Sequence, residues 1–213
     1  MRHPTKERFL QDVAKHEMTV LIDQGVHRCI RFGLPESNCM AFTIVTYPGH
    51  LCFSGDMGCF VFQRLQDMFE FFRTCGHESG INPAYWAEKL VAADRPDGFE
   101  QYEPELFTAA VQSRLENLKT ELEEAGEQLP DGLMRAIEDD VISAADDGEH
   151  AAFTAANDFE FEYQLAGEKR TFRLDDFWET KLRDYSYRFI WCCYALVWAI
   201  GRFDESKAKK VAA

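Results

Sequence analysis

The stretch MTVLIDQGVHRCIRFGLPESNCMAFTIVTYPGHLCFSGDMGCFVFQ, Met18 to Gln63, is where the fold is decided. Apolar and polar residues alternate in five runs, Met18–Asp23, His27–Phe32, Cys39–Thr46, His50–Ser54 and Gly58–Gln63, and a period of two is that of a half-buried strand. Between them lie Asp23-Gln24-Gly25, Gly33 to Asn38 with Pro35, Tyr47-Pro48-Gly49 and Gly55-Asp56-Met57-Gly58. These residues accept positive φ or pre-set a turn. The reading is an antiparallel β-meander. Alternate positions put Val20, Ile22, Ile30, Phe32, Phe42, Ile44, Leu51, Phe53, Phe60 and Phe62 on one face, and that face needs helices to cover it.

Helical spacing appears on both sides. Upstream, Phe9, Leu10, Val13 and Ala14 recur within Thr5 to His16, with Thr5 as cap. Downstream come Leu65 to Arg73, a glycine-rich break at Gly76 to Gly80, and Asn82-Pro83, which cap and open a helix over Pro83 to Ala93. The polar run Arg95 to Glu103, with Pro96 and Gly98, is the expected internal boundary. It divides residues 1–96 from residues 97–213, a division equally compatible with one continuous domain.

Beyond it an acidic helical region begins. Glu105 to Ala125 carries one apolar side and stops at Gly126, and Leu133, Ile137, Val141 and Ile142 continue the pattern in a second, antiparallel helix. Gly148 to Asn157 is alanine-rich and weakly patterned. A β-hairpin follows, in which Phe159 to Leu165 turns at Ala166-Gly167 into Lys169 to Leu174. A two-residue turn there sets Phe161 opposite Phe172 and Glu160 opposite Arg173. From Asp175 the chain reads as helical, through Phe177, Trp178 and Leu182, into the apolar run Phe189 to Ile200, FIWCCYALVWAI. As a helix that run spans ~18 Å, short of the ~30 Å of a bilayer core, and Arg188 and Arg202 close its ends. It is a buried C-terminal helix, or a homodimer interface if the rest of the chain does not wrap it. Asp204 to Ala213 reads as frayed. The fold class is α+β.

The 213 residues are 46% hydrophobic and 14% aromatic, enough for an ordered core. Charge is less ordinary. The formal net charge is −14, and residues 97–168 carry 3 Lys+Arg against 20 Asp+Glu, whereas residues 1–96 carry 10 against 11 and residues 169–213 carry 10 against 6. Phosphate contacts need cations, so the middle of the chain is unsuited to nucleic acid and suited to a basic partner. The candidate partner-binding residues are Glu116, Glu121, Glu123, Glu124, Glu138, Asp139, Asp140, Asp146 and Asp147. Seven cysteines in no framework, and a polar segment from Met1 to Phe9, predict reduced thiols in a cytoplasm with no membrane anchor.

Familiar catalytic patterns fail at definite places. His16-Glu17 and His77-Glu78 begin a zinc-protease HExxH motif, but the second histidine is replaced by Val20 or Ile81. His50, Cys52 and Cys59 offer three soft ligands with no fourth, and Cys192-Cys193 point about 100° apart on a helix. Gly55-Asp56-Met57-Gly58 is a hairpin turn, since a GxxG nucleic-acid clamp joins helices. No phosphate-cradling or nucleophile-elbow sequence occurs. Asp175, Asp176, Glu179 and Lys181 contain the ExK triplet of metal-dependent nucleases, but a helical setting makes Glu179 and Lys181 diverge. The expectation is a protein without cofactor or metal that is nonenzymatic, with a metal-dependent nuclease or hydrolase as the alternative.

The stretches MTVLIDQGVHRCIRF, GHLCFSGDMGCFVFQRLQDMFEFFR and INPAYWAEKL resemble a group of small accessory proteins of tailed phages and prophages, over roughly Lys6 to Arg114. The resemblance implies a bacterial cytoplasm during infection. Together with the charge it suggests a binding protein that blocks a basic, nucleic-acid-handling host target, as an anti-CRISPR or other anti-defence inhibitor does.

Overall fold

The computed structural model describes residues 3–74, 80–95, 98–165 and 167–212. In chain order its elements begin with α1 (Lys6–Asp12), β1 (Glu17–Gln24), β2 (His27–Gly33), β3 (Phe42–Tyr47), β4 (His50–Gly55) and β5 (Gly58–Gln63). Next come α2 (Met68–Thr74), α3 (Pro83–Ala87), β6 (Leu90–Ala92), β7 (Glu100–Tyr102), α4 (Pro104–Glu124) and α5 (Leu133–Asp140). A 3-10 segment, Ile142–Asp147, leads to α6 (Glu149–Asp158), β8 (Glu160–Leu165) and β9 (Glu168–Arg173). A second 3-10 turn, Phe177–Glu179, precedes β10 (Arg183–Tyr185) and α7 (Tyr187–Ala212). The architecture is α+β. Of the sequence features above, Cys75, His77-Glu78, most of the Gly76–Gly80 break, Pro96 and Ala166 lie outside the described residues.

The meander forms as its alternation predicts: β1 to β6 lie side by side in sequence order, each antiparallel to the next. Its inner face buries Ile30, Phe32, Phe42, Ile44, Leu51, Phe53, Phe60 and Phe62. Val20 and Ile22 depart from expectation and stay exposed. The register slips between them, so that Val20 pairs with Ile30 but Ile22 pairs with Cys29. Such a bulge turns the side chains that follow it, Ile22 among them, to the other face and blunts an edge strand against pairing, whereas Val20 precedes the slip and is exposed on the edge strand itself. The helix predicted over Pro83 to Ala93 is likewise shorter. Asn82 accepts the Tyr85 amide and caps α3 as expected, but Leu90–Ala92 extends the sheet, satisfying the open edge of β5.

Two compact units result, Met1–Gln101 with Tyr185–Ala213, and Tyr102–Asp184. This division differs from the one at residue 97, because the apolar helix belongs with the sheet. Trp191 of α7 sits 5.7 Å from Phe42 and 5.0 Å from Phe9, centroid to centroid, and its indole donates to Asp12 at 3.1 Å. Phe189, Ile190, Cys192, Cys193, Leu196 and Ile200 are buried in the same core. Most of the helix's apolar surface is thus covered within the unit, while Tyr194, Val197 and Trp198 stay half-buried. Its end is also helical rather than frayed, to Ala212, held by Arg73 on Asp204 and Lys207 on Asp23. Among the described residues no helix is long and apolar enough to cross a membrane.

The second unit builds its own core from Phe107, Val111 and Leu115 of α4, Leu133 and Ile137 of α5, Ala152 and Ala156 of α6, and Phe177. The weakly patterned stretch is a helix, α6, whose buried face is made of alanines. The hairpin has the predicted register, with Phe161 opposite Phe172 and Glu160 opposite Arg173. After it the expected helix is absent: residues 177–179 make only a 3-10 turn, and α7 starts at Tyr187.

Candidate interaction surface

Charge separates cleanly along the two units. The sheet unit carries 15 Lys+Arg and 15 Asp+Glu, whereas Tyr102–Asp184 carries 8 and 22, so the whole formal −14 resides on the second unit. Its basic residues are mostly spoken for by neighbours. Lys169 pairs with Glu162 at 2.6 Å, Arg173 with Glu160 at 2.7 Å and Arg183 with Glu149 at 2.5 Å.

All nine acidic residues singled out in the sequence are exposed. Glu116, Glu121, Glu123 and Glu124 lie on α4; at about 100° per residue Glu116, Glu123 and Glu124 fall on the half of that helix opposite buried Phe107, Val111, Leu115 and Leu122, and Glu121 lies at its flank. Glu138, Asp139 and Asp140 close α5, and Asp146 and Asp147 close the 3-10 segment; being consecutive, they fan outward rather than converge. Glu116 pairs with Lys119 at 3.2 Å and Asp139 with Arg135 at 3.4 Å. Among the described residues the other seven have no ion pair.

The surface senses this charge locally. Tyr102 donates its hydroxyl to the Ala145 carbonyl at 3.0 Å, and its pKa is raised by burial, then by the negative charge of Asp146 and Glu149. Two hollows interrupt the carboxylates. One, of about 410 Å³, lies between α4 and the start of α5, lined by Leu115, Glu116, Lys119, Leu129 and exposed Met134. The other, of about 280 Å³, lies between α6 and the Phe177–Glu179 turn. Trp178 on that turn is 63% exposed. This exposure is invisible in the sequence, where Phe177 and Trp178 read as consecutive residues of one helix; the one available signal is that acidic Asp175, Asp176 and Glu179 bracket Trp178 in the chain.

Among the described residues the metal-type constellations do not assemble: no three His, Cys, Asp or Glu side chains gather as a cation site requires. His50 stacks on Tyr47 at 4.6 Å and its Nδ1 lies 3.2 Å from the Pro48 carbonyl, facing away from a thiol role. The Cys52 thiol is pushed up to about 11 by burial and by the adjacent Cys59 thiol, which leaves it protonated and unreactive at neutral pH. Cys192 and Cys193 are buried in the sheet unit's core, and burial raises both thiols well above the ordinary range. Asp175, Asp176 and Glu179 are exposed on a turn rather than aligned on a strand.

Comparison with protein-family models, with curated proteins and with solved structures finds no match to the chain.

Proposed function

We propose that the protein works by binding, presenting its acidic second unit to a positively charged surface of a partner. The observation that carries this reading is the confinement of the entire net charge to Tyr102–Asp184, with seven of the nine outward carboxylates lacking internal counter-charges. Fields of this kind raise encounter rates with an oppositely charged partner and fix orientation. A protein that handles nucleic acid presents such a partner, because its groove is lined with cations spaced for phosphates. The resemblance to tailed-phage and prophage accessory proteins supports a bacterial cytoplasm as the setting, and a CRISPR effector or comparable defence complex as the target, with inhibition by occupation of the groove.

The test is capture from nuclease-treated bacterial lysate by the wild type and by a variant combining Glu121→Lys, Glu123→Lys, Glu124→Lys and Glu138→Lys. The expected result is a retained protein that survives nuclease, is lost at high salt, and associates with the variant roughly tenfold more slowly or worse. An association rate identical for both proteins at low salt would remove the basis of the reading.

A further inference from the structure

Phe177 and Trp178 are adjacent, yet the first is 1% exposed and the second 63%. A tryptophan buries more apolar area than almost any other side chain, so a fold that keeps Phe177 inside and leaves the indole outside forgoes a large stabilisation. Backbone geometry holds it there. Asp176 adopts a left-handed conformation, φ 54°, which costs a side-chain-bearing residue about 1 kcal/mol or more and is borne best by Asp, Asn and Gly. The turn it starts is closed by the amides of Glu179 on the Asp176 carbonyl at 3.1 Å and of Thr180 on the Phe177 carbonyl at 3.0 Å.

Facing the indole is one stripe of α6. His150, Thr154, Asn157 and Asp158, with Phe153 beside them, recur three and four residues apart and so share one side of the helix. Phe153 lies 6.2 Å from Phe177 and forms the apolar floor. Among the described residues no lysine or arginine lines this hollow. Asp158, which lines it, is exposed and, among the described residues, has only the Asn157 side-chain amide at 3.3 Å. Asp175, Asp176 and Glu179 flank Trp178 in the chain, are exposed and, among the described residues, have no ion pair.

We propose that this hollow seats the guanidinium of an arginine on the basic partner, stacked on the face of Trp178 with Asp158 as its counter-charge; the assignment rests on the binding reading above. The chemistry discriminates among occupants. An indole face attracts a cation more strongly than other rings do. A planar, weakly hydrated guanidinium can stack and still donate sideways to a carboxylate, whereas an ammonium is a compact, strongly hydrated charge. A neutral apolar side chain would cover the Asp158 carboxylate and return nothing for its lost water.

Fluorescence of the full chain tests this with nona-arginine, nona-lysine and a neutral glycine–phenylalanine peptide as probes. Trp86 and Trp191 are fully buried and Trp198 is half-buried, and subtracting the signal of a Trp178→Phe variant isolates that of Trp178. The expected result is that nona-arginine changes Trp178 emission and binds roughly threefold or more tighter than nona-lysine. Trp178→Ala, a substitution at an exposed site, erases that preference while both basic peptides keep their salt-dependent binding. Equal affinities for the two basic peptides with unchanged Trp178 emission overturn the arginine seat and leave the acidic-surface reading standing. An equal emission change from the neutral peptide overturns it as well, in favour of an apolar occupant. If neither basic peptide binds at low salt, both readings fall.

Discussion

Asp67 serves two parts of the sheet unit at once. Its carboxylate accepts two hydrogen bonds from Arg28, both 2.8 Å, and one from the Phe69 amide at 2.9 Å, so it anchors β2 and caps the start of α2. The Arg28 side chain is only 10% exposed and lies over the Phe69 ring at 4.5 Å. Asp67→Ala would strand that cation, at a cost of about 3 kcal/mol, and Asp67→Asn should cost less because it keeps a capping oxygen; urea unfolding at neutral pH measures both. The Arg28 hydrogen bonds hold the Asp67 carboxyl below its ordinary pKa, against burial. The folded protein therefore binds fewer protons here than the unfolded chain just below about pH 4. Stability from the pair is complete above that value and is lost as pH falls through the lowered folded pKa, so acid unfolding of the wild type should contain a component absent from Asp67→Asn. None of this is legible locally, since 39 positions separate the partners and each residue alone reads as surface. Trp178 is the converse, apolar in pattern and exposed in fact, because a strained residue before it decides where the indole points.

At the scale of elements, Gly55-Asp56-Met57-Gly58 shows how a motif with no chemistry still constrains a fold. Gly55 and Gly58 pair across the β4–β5 turn. A Cβ at Gly55 would enter the space of the Ala41 carbonyl and Phe42 Cα, while the Asp56 amide donates to Ala41 at 3.0 Å and its carboxylate accepts the Met40 amide at 2.7 Å. Gly55→Ala should therefore lower stability by about 1–3 kcal/mol, read as a lowered thermal midpoint, even though a strand ordinarily prefers alanine to glycine. The turn itself was readable from its residues. So was the register of β8 against β9, because a two-residue turn fixes which side chains face each other. The bulge in β1 and the three-residue strand β6 were not readable, since one depends on how an edge is left unpaired and the other on an edge that β5 happens to offer.

Across the whole molecule, the sequence shows the surplus of carboxylates but misplaces the limits of the piece that carries it. A contiguous charge run marks the middle; nothing in composition says that α7, more than 80 residues beyond Gln101, returns to the sheet. Tyr102–Asp184 is continuous and has its own core. Expressed alone, it should unfold cooperatively in calorimetry, whereas Met1–Gln101 without α7 should not; a flat trace for the first fragment or a sharp transition for the second would refute this partition.

The position of α7 also bears on synthesis. A ribosome releases the strands before the helix that shields them, so the phenylalanines of the inner face wait, unprotected, while the acidic segment between them emerges and folds. During that interval the nascent chain is a substrate for chaperones and prone to self-association, and the negative charge of the finished middle segment is what it has to keep neighbouring copies apart.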